Sequence, residues 1–366
     1  MNRPPNRLGE KIAGLIRAAG PISVADYMAI CLFDPDHGYY TTREPFGAGG
    51  DFITAPEVSQ MFGELVAVWL VEAWQANGNL IPATIAEIGP GRGTLMKDMV
   101  RTIGRVAPDL AAGADFALVE ASPRLAAVQQ ETLLASGPRF TWHATLDTLP
   151  DGPLFIVGNE IFDALPFRQF ARHGDRWLER AIGLDADGAF QFGVGTASLA
   201  AGAIPSGLET SPDGSIFEIA PAREALMSAI ATGIAAHGGA GIFFDYGHLR
   251  PGLGDTFQAV RKHRSEGVFD NPGEADLTSH VDFAALAAVA RSHGLEAHTA
   301  TQGEFLLGMG LLERAGRLGQ AADEAAREKI AGDVERLAGP DQMGELFKVL
   351  AILPPGMALP PFPNAS

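Results

Sequence analysis

The sequence predicts an α/β fold in which a mainly parallel sheet is covered by helices on both faces. Apolar runs that end at glycine or polar residues alternate along the chain with stretches of helical periodicity. The first of these runs ends at closely spaced glycines, as a tight turn from strand to helix requires. Parallel strands need long crossover connections, which are usually helices, and ligands bind beyond the carboxyl ends of such strands.

Composition and charge narrow the class of protein. Of the 366 residues 46% are apolar and 19% are charged, which is typical of a packed globular enzyme. The formal charge of −17 repels phosphate backbones and anionic membranes, so we expect no nucleic acid partner. The single cysteine, Cys31, excludes an intrachain disulfide and a multi-cysteine zinc site. We expect it to be a buried small apolar residue, and we expect no metal.

Targeting signals and membrane spans are not predicted. The longest apolar stretch, residues 65–74, is too short to cross a bilayer and indicates a buried helix. The first residues lack the apolar core of a secretory signal, and Glu10 favours an ordinary amphipathic helix over a transit peptide. We therefore expect a cytoplasmic protein of bacterial type without membrane insertion.

The predicted elements divide the chain into four parts. A helical N-terminal cover (1–78) is broken by turns at residues 20–21, 34–38 and 47–50. The first part of the sheet (79–166) contains strands at 83–88, 116–119, near 140 and at 154–157, with a helix at 123–134. A hairpin-rich insertion (167–215) follows. The remaining core (216–366) contains helices at 221–236 and 282–293 and strands at 241–244 and 348–353.

A glycine loop follows the first strand and opens the next helix. Gly89, Gly91 and Gly93 allow the backbone to approach a ligand and to present N–H groups at the positive end of a helix dipole. A dinucleotide-binding fingerprint would need a small residue at position 94, where this chain has Thr94. With Glu87 two residues before the first glycine, the loop resembles the first motif of Rossmann-like methyltransferases. The alternative is a purely structural turn.

Glu120 stands at the tip of the second strand, directly after residues 116–119. A carboxylate there can accept both hydroxyls of an adenosine ribose. The order of strand, glycine loop, helix, strand and acid favours a nucleoside-containing cofactor. With S-adenosylmethionine, the glycine loop would meet the methionine carboxylate, and Glu87 could hold the ammonium group directly or through water. The alternative is that Glu120 is a solvated strand end.

Three polar residues follow the strand at 154–157. Asn159, Glu160 and Asp163 stand where amino-group methyltransferases commonly carry an Asn or Asp. Neighbouring carboxylates can clamp a planar guanidinium and aim one of its nitrogens at a methyl group. The alternative is that Asp163 caps a helix and Glu160 is solvated.

These motifs belong to a wider resemblance that spans nearly the whole chain. The chain resembles the MidA family of methyltransferases, which is related to the mitochondrial assembly factor that methylates an arginine in the 49-kDa subunit of respiratory complex I. The matching segments are residues 22–28, 36–40, 51–57, 89–93, 159–166, 244–248, 276–283 and 301–306.

The resemblance implies a class I methyltransferase sheet, S-adenosyl-L-methionine as cofactor, and a complex I subunit homologue as protein substrate. It adds Thr54 as a cofactor-side residue, although Thr54 followed by Pro56 also has the signature of a helix start. It adds Asp245, Tyr246 and His248 as substrate-side candidates. Asp245 or His248 could take up a proton, although a lone histidine in such a place is more often a hydrogen-bonded structural residue.

The reaction expected from these residues is an in-line displacement in which a guanidine nitrogen attacks the sulfonium methyl group. Asn159, Glu160 and Asp163 would orient the substrate, with proton removal late or after transfer. Two other functions remain: a nicotinamide-dependent oxidoreductase on the same fold, and an assembly factor that binds the cofactor without catalysis.

Overall fold

The structure, a computed structural model, describes residues 6–42, 54–200, 202–205, 207–208, 210–262 and 264–362. The turn predicted at residues 47–50 and the first part of the 51–57 segment, residues 51–53, lie outside this range. The chain divides into two compact units. The first comprises Met1–Phe52, Phe162–Ala225 and Arg250–His280, and the second comprises Ile53–Ile161, Leu226–Leu249 and Val281–Ser366.

The described helices and strands are numbered in chain order. The helices are α1 (Arg7–Ala19), α2 (Val24–Phe33), α3 (Tyr39–Thr42), α4 (Ala55–Val58), α5 (Gln60–Ala76), α6 (Thr94–Val106), α7 (Pro108–Gly113), α8 (Pro123–Leu133), α9 (Pro221–His237), α10 (Phe283–Ser292), α11 (Gln302–Gly308), α12 (Leu311–Gly319), α13 (Glu324–Ala338) and α14 (Met343–Leu346). The strands are β1 (Ile22–Ser23), β2 (Ala83–Ile88), β3 (Ala114–Val119), β4 (Phe140–His143), β5 (Leu154–Asn159), β6 (Arg168–His173), β7 (Arg176–Leu184), β8 (Phe190–Ser198), β9 (Ile216–Ile219), β10 (Gly239–His248), β11 (Gln258–Arg261), β12 (Arg264–Glu266), β13 (Asp276–Thr278), β14 (Val281–Asp282), β15 (Glu296–Thr301) and β16 (Phe347–Leu353).

The second unit is built on a sheet in the order β15-β16-β10-β5-β2-β3-β4. The pairs from β10 to β4 are parallel, whereas β16 runs antiparallel to both of its neighbours. This sheet confirms the predicted α/β class. The chain runs outward from β2 to β3 and β4 and then returns to β5 on the other side of β2. Such a reversal opens a crevice at the carboxyl ends of β2 and β5, where ligands bind in open α/β sheets.

The apolar core of this unit explains why the strands are apolar throughout. Phe244 on β10 contacts Phe62 of α5 and Phe305 of α11, with ring centroids 4.9 and 5.3 Å away. The stretch predicted as a buried helix lies within α5 and packs in this cluster. Phe243 is equally buried but points to the opposite face, because side chains alternate along a strand. Sheets covered on both faces have such strands.

The first unit contains an antiparallel sheet in the order β1-β7-β6-β9, and β8 also pairs with β7. Strands β6 and β7 form a hairpin whose turn includes Gly174 with a φ of +63°. This hairpin lies in the segment predicted as a hairpin-rich insertion, residues 167–215. The strand β1 of this sheet lies in the predicted helical cover, just after the turn predicted at residues 20–21, so the prediction of helix was wrong at Ile22–Ser23.

Apolar residues of α1 and α2 form the core of the first unit, together with residues of β7, β11 and β13. Cys31 is completely buried there, as expected. In neither unit does the described part of the chain contain a helix that is both long enough and apolar enough for a transmembrane span.

Candidate functional site

The glycine loop is a tight turn between β2 and α6. Gly89, Gly91 and Gly93 have φ values of +62°, +51° and +81°, which side chains rarely tolerate. A Cβ on Gly89 would also lie 2.8 Å from Cγ2 of Ile161, so the glycine lets the turn after β5 pack against this loop. Gly93 occupies the N-cap position of α6 without a side chain to cap it. The loop therefore brings bare backbone to the positive end of the helix dipole.

Glu87 lies at the end of β2 and is almost completely buried, with 3% of its surface exposed. Burial raises its pKa well above the ordinary glutamate range, although a backbone N–H of Met96 donates to the carboxylate and opposes that rise. Its Oε2 atom has no hydrogen-bond partner among the described residues. A buried carboxylate oxygen without a donor is costly, so this position suits a ligand that supplies a cationic donor.

Glu120 follows β3 at the neighbouring strand end, since Ile88 pairs with Val119. Its Oε1 accepts a hydrogen bond of 2.7 Å from the backbone of Ser122, and its Oε2 accepts one of 3.1 Å from Nε2 of Gln129. Burial raises the pKa of Glu120, and these hydrogen bonds oppose that rise. The carboxylate is therefore held in place, unlike the solvated strand end of the alternative interpretation.

Gln129, on α8, is a residue that the sequence analysis missed. Its Nε2 also donates to the carbonyl oxygen of Gly91 at 2.9 Å, and its Oε1 accepts from Nε1 of Trp142 at 3.0 Å. A buried glutamine nine residues after a strand-end acid has no sequence signature. Its partners come from three separate elements, so only the fold reveals them.

Asn159 ends β5 on the other side of β2, where Gly158 pairs with Ile88, and Glu160 follows directly. Nδ2 of Asn159 donates to Oε1 of Glu160 at 3.0 Å, and Oδ1 of Asn159 is buried without a partner among the described residues. Glu160 has a φ of +54°, and its N–H donates to the carbonyl of Phe244 at 2.8 Å. Left-handed backbone at a non-glycine residue is uncommon and concentrates at functional sites.

Asp163 belongs to the first unit. It is buried, and its backbone carbonyl accepts hydrogen bonds from the N–H of Ser279 at 3.3 Å and from Nη2 of Arg223 at 3.1 Å. It lies in a turn, and no helix of the described residues begins at it, contrary to the alternative interpretation of Asp163 as a helix cap. The joint action of Asp163 and Glu160 stays a prediction.

The strand β10 continues to His248, four residues beyond its predicted end, so the substrate-side candidates lie on the strand itself. Oδ1 of Asp245, which is fully buried, accepts from the backbone of Tyr246 at 2.9 Å. Tyr246 packs edge-on against Phe347. His248 lies with Nδ1 3.9 Å from Oδ1 of Asp282 and is partly exposed. All three residues follow Phe244 on β10. Because Phe244 pairs with Asn159 in parallel, they lie at the same carboxyl end of the strands as Asn159.

Thr54 occupies the N-cap position of α4, but its side chain makes no capping hydrogen bond. The next turn reaches the glycine loop through Glu57, whose Oε1 accepts from Oγ1 of Thr94 at 2.6 Å. Oε2 of Glu57 lies 3.9 Å from Nη1 of Arg92, an ion pair too exposed to contribute much. The segment that begins at Thr54 is therefore tied to the start of α6.

The second unit thus gathers most of the predicted residues at the carboxyl ends of four parallel strands. Backbone donors at the glycine loop suit an anion, and the Glu87 oxygen suits a cation. The fixed carboxylate of Glu120 suits paired hydroxyls, and the Asn159 oxygen suits an N–H donor. Such a set fits a zwitterionic nucleoside ligand next to a cationic substrate group.

Known proteins resemble this chain in sequence. A family model described as "Putative S-adenosyl-L-methionine-dependent methyltransferase" matches residues 65–301. The mitochondrial protein arginine methyltransferase NDUFAF7 of Danio rerio is 34% identical, and the match covers 93% of this chain and 86% of that protein. The mitochondrial NDUFAF7 homologue of Caenorhabditis elegans is 32% identical, and the match covers 95% of this chain and 87% of that protein.

A solved structure is also similar over almost the full length. The crystal structure of a protein from Burkholderia thailandensis bound to S-adenosyl-homocysteine has a TM-score of 0.81 and 29% sequence identity. The similarity covers 96% of this chain and 95% of that one.

Proposed function

The chain belongs to a family of S-adenosyl-L-methionine-dependent methyltransferases, and we propose that it methylates an arginine side chain of a protein. Family membership decides against the nicotinamide-dependent alternative. The proposed protein substrate is the homologue of the 49-kDa subunit of respiratory complex I. The relatives' names, which specify protein arginine methyltransferases, support the residue type.

The groups of the second unit fit the cofactor. The unpartnered Oε2 of Glu87 would accept a hydrogen bond from the α-ammonium group. Backbone of the Gly89–Gly93 loop would face the methionine carboxylate, and Glu120 would bind the ribose hydroxyls with the lone pairs that Ser122 and Gln129 leave free. The segment beginning at Thr54 would cover the pocket. When bound, S-adenosyl-L-methionine supplies a methyl group on positively charged sulfur.

The observation that carries the arginine proposal is the buried, unpartnered Oδ1 of Asn159 beside the Glu160 carboxylate. An acceptor and a negative charge together complement a group that is cationic and rich in N–H donors. A guanidinium offers five such donors in a plane, whereas an ammonium offers three around a point charge. The left-handed backbone of Glu160 fixes the direction in which its side chain leaves the main chain. A carboxylate fixed in this way suits the binding of a planar group.

In this proposal the protein's residues act by orientation and charge. Asn159 accepts an N–H of the guanidinium, and Glu160 neutralises the positive charge so that one nitrogen is held toward the methyl group. No residue needs to remove a proton before transfer, since the proton is lost late or afterwards. On the substrate side, the site would be lined by Asp245, Tyr246 and His248.

The test is Glu160→Gln, which keeps the side-chain shape and removes the charge. We expect nearly unchanged affinity for S-adenosyl-homocysteine, measured by calorimetry, together with a large loss of methyl incorporation into the recombinant complex I subunit homologue. Asp163→Asn should show the same pattern more weakly. Loss of one charge-assisted contact in the transition state corresponds to a drop in rate of about ten- to a hundredfold.

Glu131→Gln is the matched control, because Glu131 is an exposed carboxylate on α8. It should leave both measurements unchanged. Wild-type methylation rates in both Glu160→Gln and Asp163→Asn would refute the arginine clamp. A loss of S-adenosyl-homocysteine binding would assign these carboxylates to the cofactor instead.

A further inference from the structure

Gln129 joins two separate parts of the cofactor site. Its side chain is fully buried on α8. One amide group reaches the carbonyl of Gly91 in the glycine loop, the carboxylate of Glu120 after β3, and the indole of Trp142 on β4. The partners are far apart in sequence, so this one side chain connects three elements of the second unit.

The orientation of this amide is determined by its partners. An indole N–H can only donate, so Trp142 must face the amide oxygen. The carbonyl of Gly91 and the carboxylate of Glu120 are acceptors, so both must face the NH₂ group. A reversed amide would set donor against donor and acceptor against acceptor. Both N–H groups and the oxygen of Gln129 are therefore used, as expected for a buried polar side chain.

We propose that Gln129 is a positioning residue that sets the spacing and orientation of the glycine loop and the ribose-binding carboxylate before the cofactor binds. Glu120 is then held from both sides, by Ser122 at Oε1 and by Gln129 at Oε2. The glycine loop is held through the carbonyl of Gly91, and Gly93 lies beside the same side chain, since a Cβ built there would be in ordinary van der Waals contact with Cγ of Gln129 at 3.5 Å. Preorganisation of this kind increases affinity by lowering the cost of ordering the site.

This inference rests on the proposed placement of the cofactor against the Gly89–Gly93 loop and Glu120. It differs from a packing role because it makes the effect of Gln129 depend on Glu120. A residue that only fills space would weaken binding to the same extent whether position 120 carries a carboxylate or an amide.

The test is a double-mutant cycle for binding of S-adenosyl-homocysteine by calorimetry. Gln129→Glu places a carboxylate against the acceptors of Glu120 and Gly91, and we expect a loss of affinity of at least about tenfold. Glu120→Gln alone also weakens binding. In the double variant the amide of position 120 can donate to the carboxylate of position 129, so its affinity should be at least about fivefold higher than the product of the two single effects predicts.

Gln129→Met removes both donors while filling the space, and should weaken binding without lowering the melting temperature by more than a few degrees. Gln130→Met, at the exposed neighbouring position, is the matched control and should bind normally. Normal affinity in a folded Gln129→Met variant, or additive single effects in the cycle, would overturn the positioning role. A wild-type protein that does not bind S-adenosyl-homocysteine would overturn the cofactor placement itself.

Discussion

Replacing Glu87 by glutamine tests whether the buried carboxyl group of Glu87 is the partner of the cofactor's ammonium group. In the cofactor-free protein, burial raises the pKa of Glu87 above its ordinary value of 4.5, and Oε2 has no partner among the described residues. Folding at neutral pH therefore forces the carboxyl group either to take up a proton or to bury a charge. Glutamine has nearly the same shape and carries no charge at any pH.

The sign of the effect follows from the raised pKa in the folded state. Below pH 4.5 the carboxyl group is protonated in both states and imposes no proton-linked cost. As the pH rises from 4.5 toward the raised pKa, the wild type loses stability relative to Glu87→Gln. Because one proton is involved, the difference in the free energy of unfolding grows by at most about 1.4 kcal/mol per pH unit.

Urea unfolding of both proteins without cofactor, at several pH values between 4.5 and neutrality, measures this difference. Gln130→Met, at an exposed position of α8 that carries no titratable group, serves as the control and should show no such trend. A difference between Glu87→Gln and wild type that does not change with pH would refute the reasoning, because Glu87 would then keep an ordinary pKa in the folded protein.

The same variant should bind S-adenosyl-homocysteine more weakly at neutral pH. The ligand's ammonium group loses a charge-assisted hydrogen bond, which costs about 1.5 to 3 kcal/mol, or roughly ten- to a hundredfold in affinity. Calorimetry decides this point. Unchanged affinity would remove Glu87 from the cofactor pocket.

Two further variants test the rest of the pocket. Gly91→Val should abolish binding of S-adenosyl-homocysteine, because a β-branched residue is strained at a φ of +51° and would intrude on the ligand. Its control is Gly104→Ala on α6, where an added Cβ has no atom of the described residues within 4 Å, and unchanged calorimetric affinity in folded Gly91→Val would exclude the loop. Glu120→Gln should lower the calorimetric affinity by about 1.5 to 3 kcal/mol with little effect on the melting temperature, and normal binding would mean that Glu120 does not hold the ribose.

The elements that carry the site were predictable because their signals are local. The strand predicted at residues 83–88 is β2 as found, and the apolar runs at 116–119 and 154–157 lie inside β3 and β5. The turn after this strand needs backbone with positive φ, which favours glycine, and glycines are visible in the sequence itself. The alternation of strands with helices predicted a mainly parallel sheet, and the pairs from β10 to β4 are parallel.

Features that depend on distant partners were not predictable. The antiparallel placement of β16 between β15 and β10 is a matter of long-range pairing. The strand β10 extends to His248 because β16 and β14 supply hydrogen-bonding partners beyond the apolar run. The left-handed backbone of Glu160 has no local signal, since glutamate seldom adopts it. The three hydrogen bonds of Gln129 likewise exist only after α8 packs beside the glycine loop.

The most direct test of the proposed function is to find the transferred methyl group. The wild-type protein is incubated with S-adenosyl-L-methionine carrying an isotopically labelled methyl group and with the recombinant homologue of the 49-kDa subunit, and peptides are analysed by mass spectrometry. We predict label on an arginine side chain, incorporated about ten- to a hundredfold more slowly when Glu160→Gln replaces the wild type. Label on a residue other than arginine would contradict the proposed substrate. Binding of S-adenosyl-homocysteine without any labelled subunit would contradict methylation of this partner and would favour a non-catalytic assembly role.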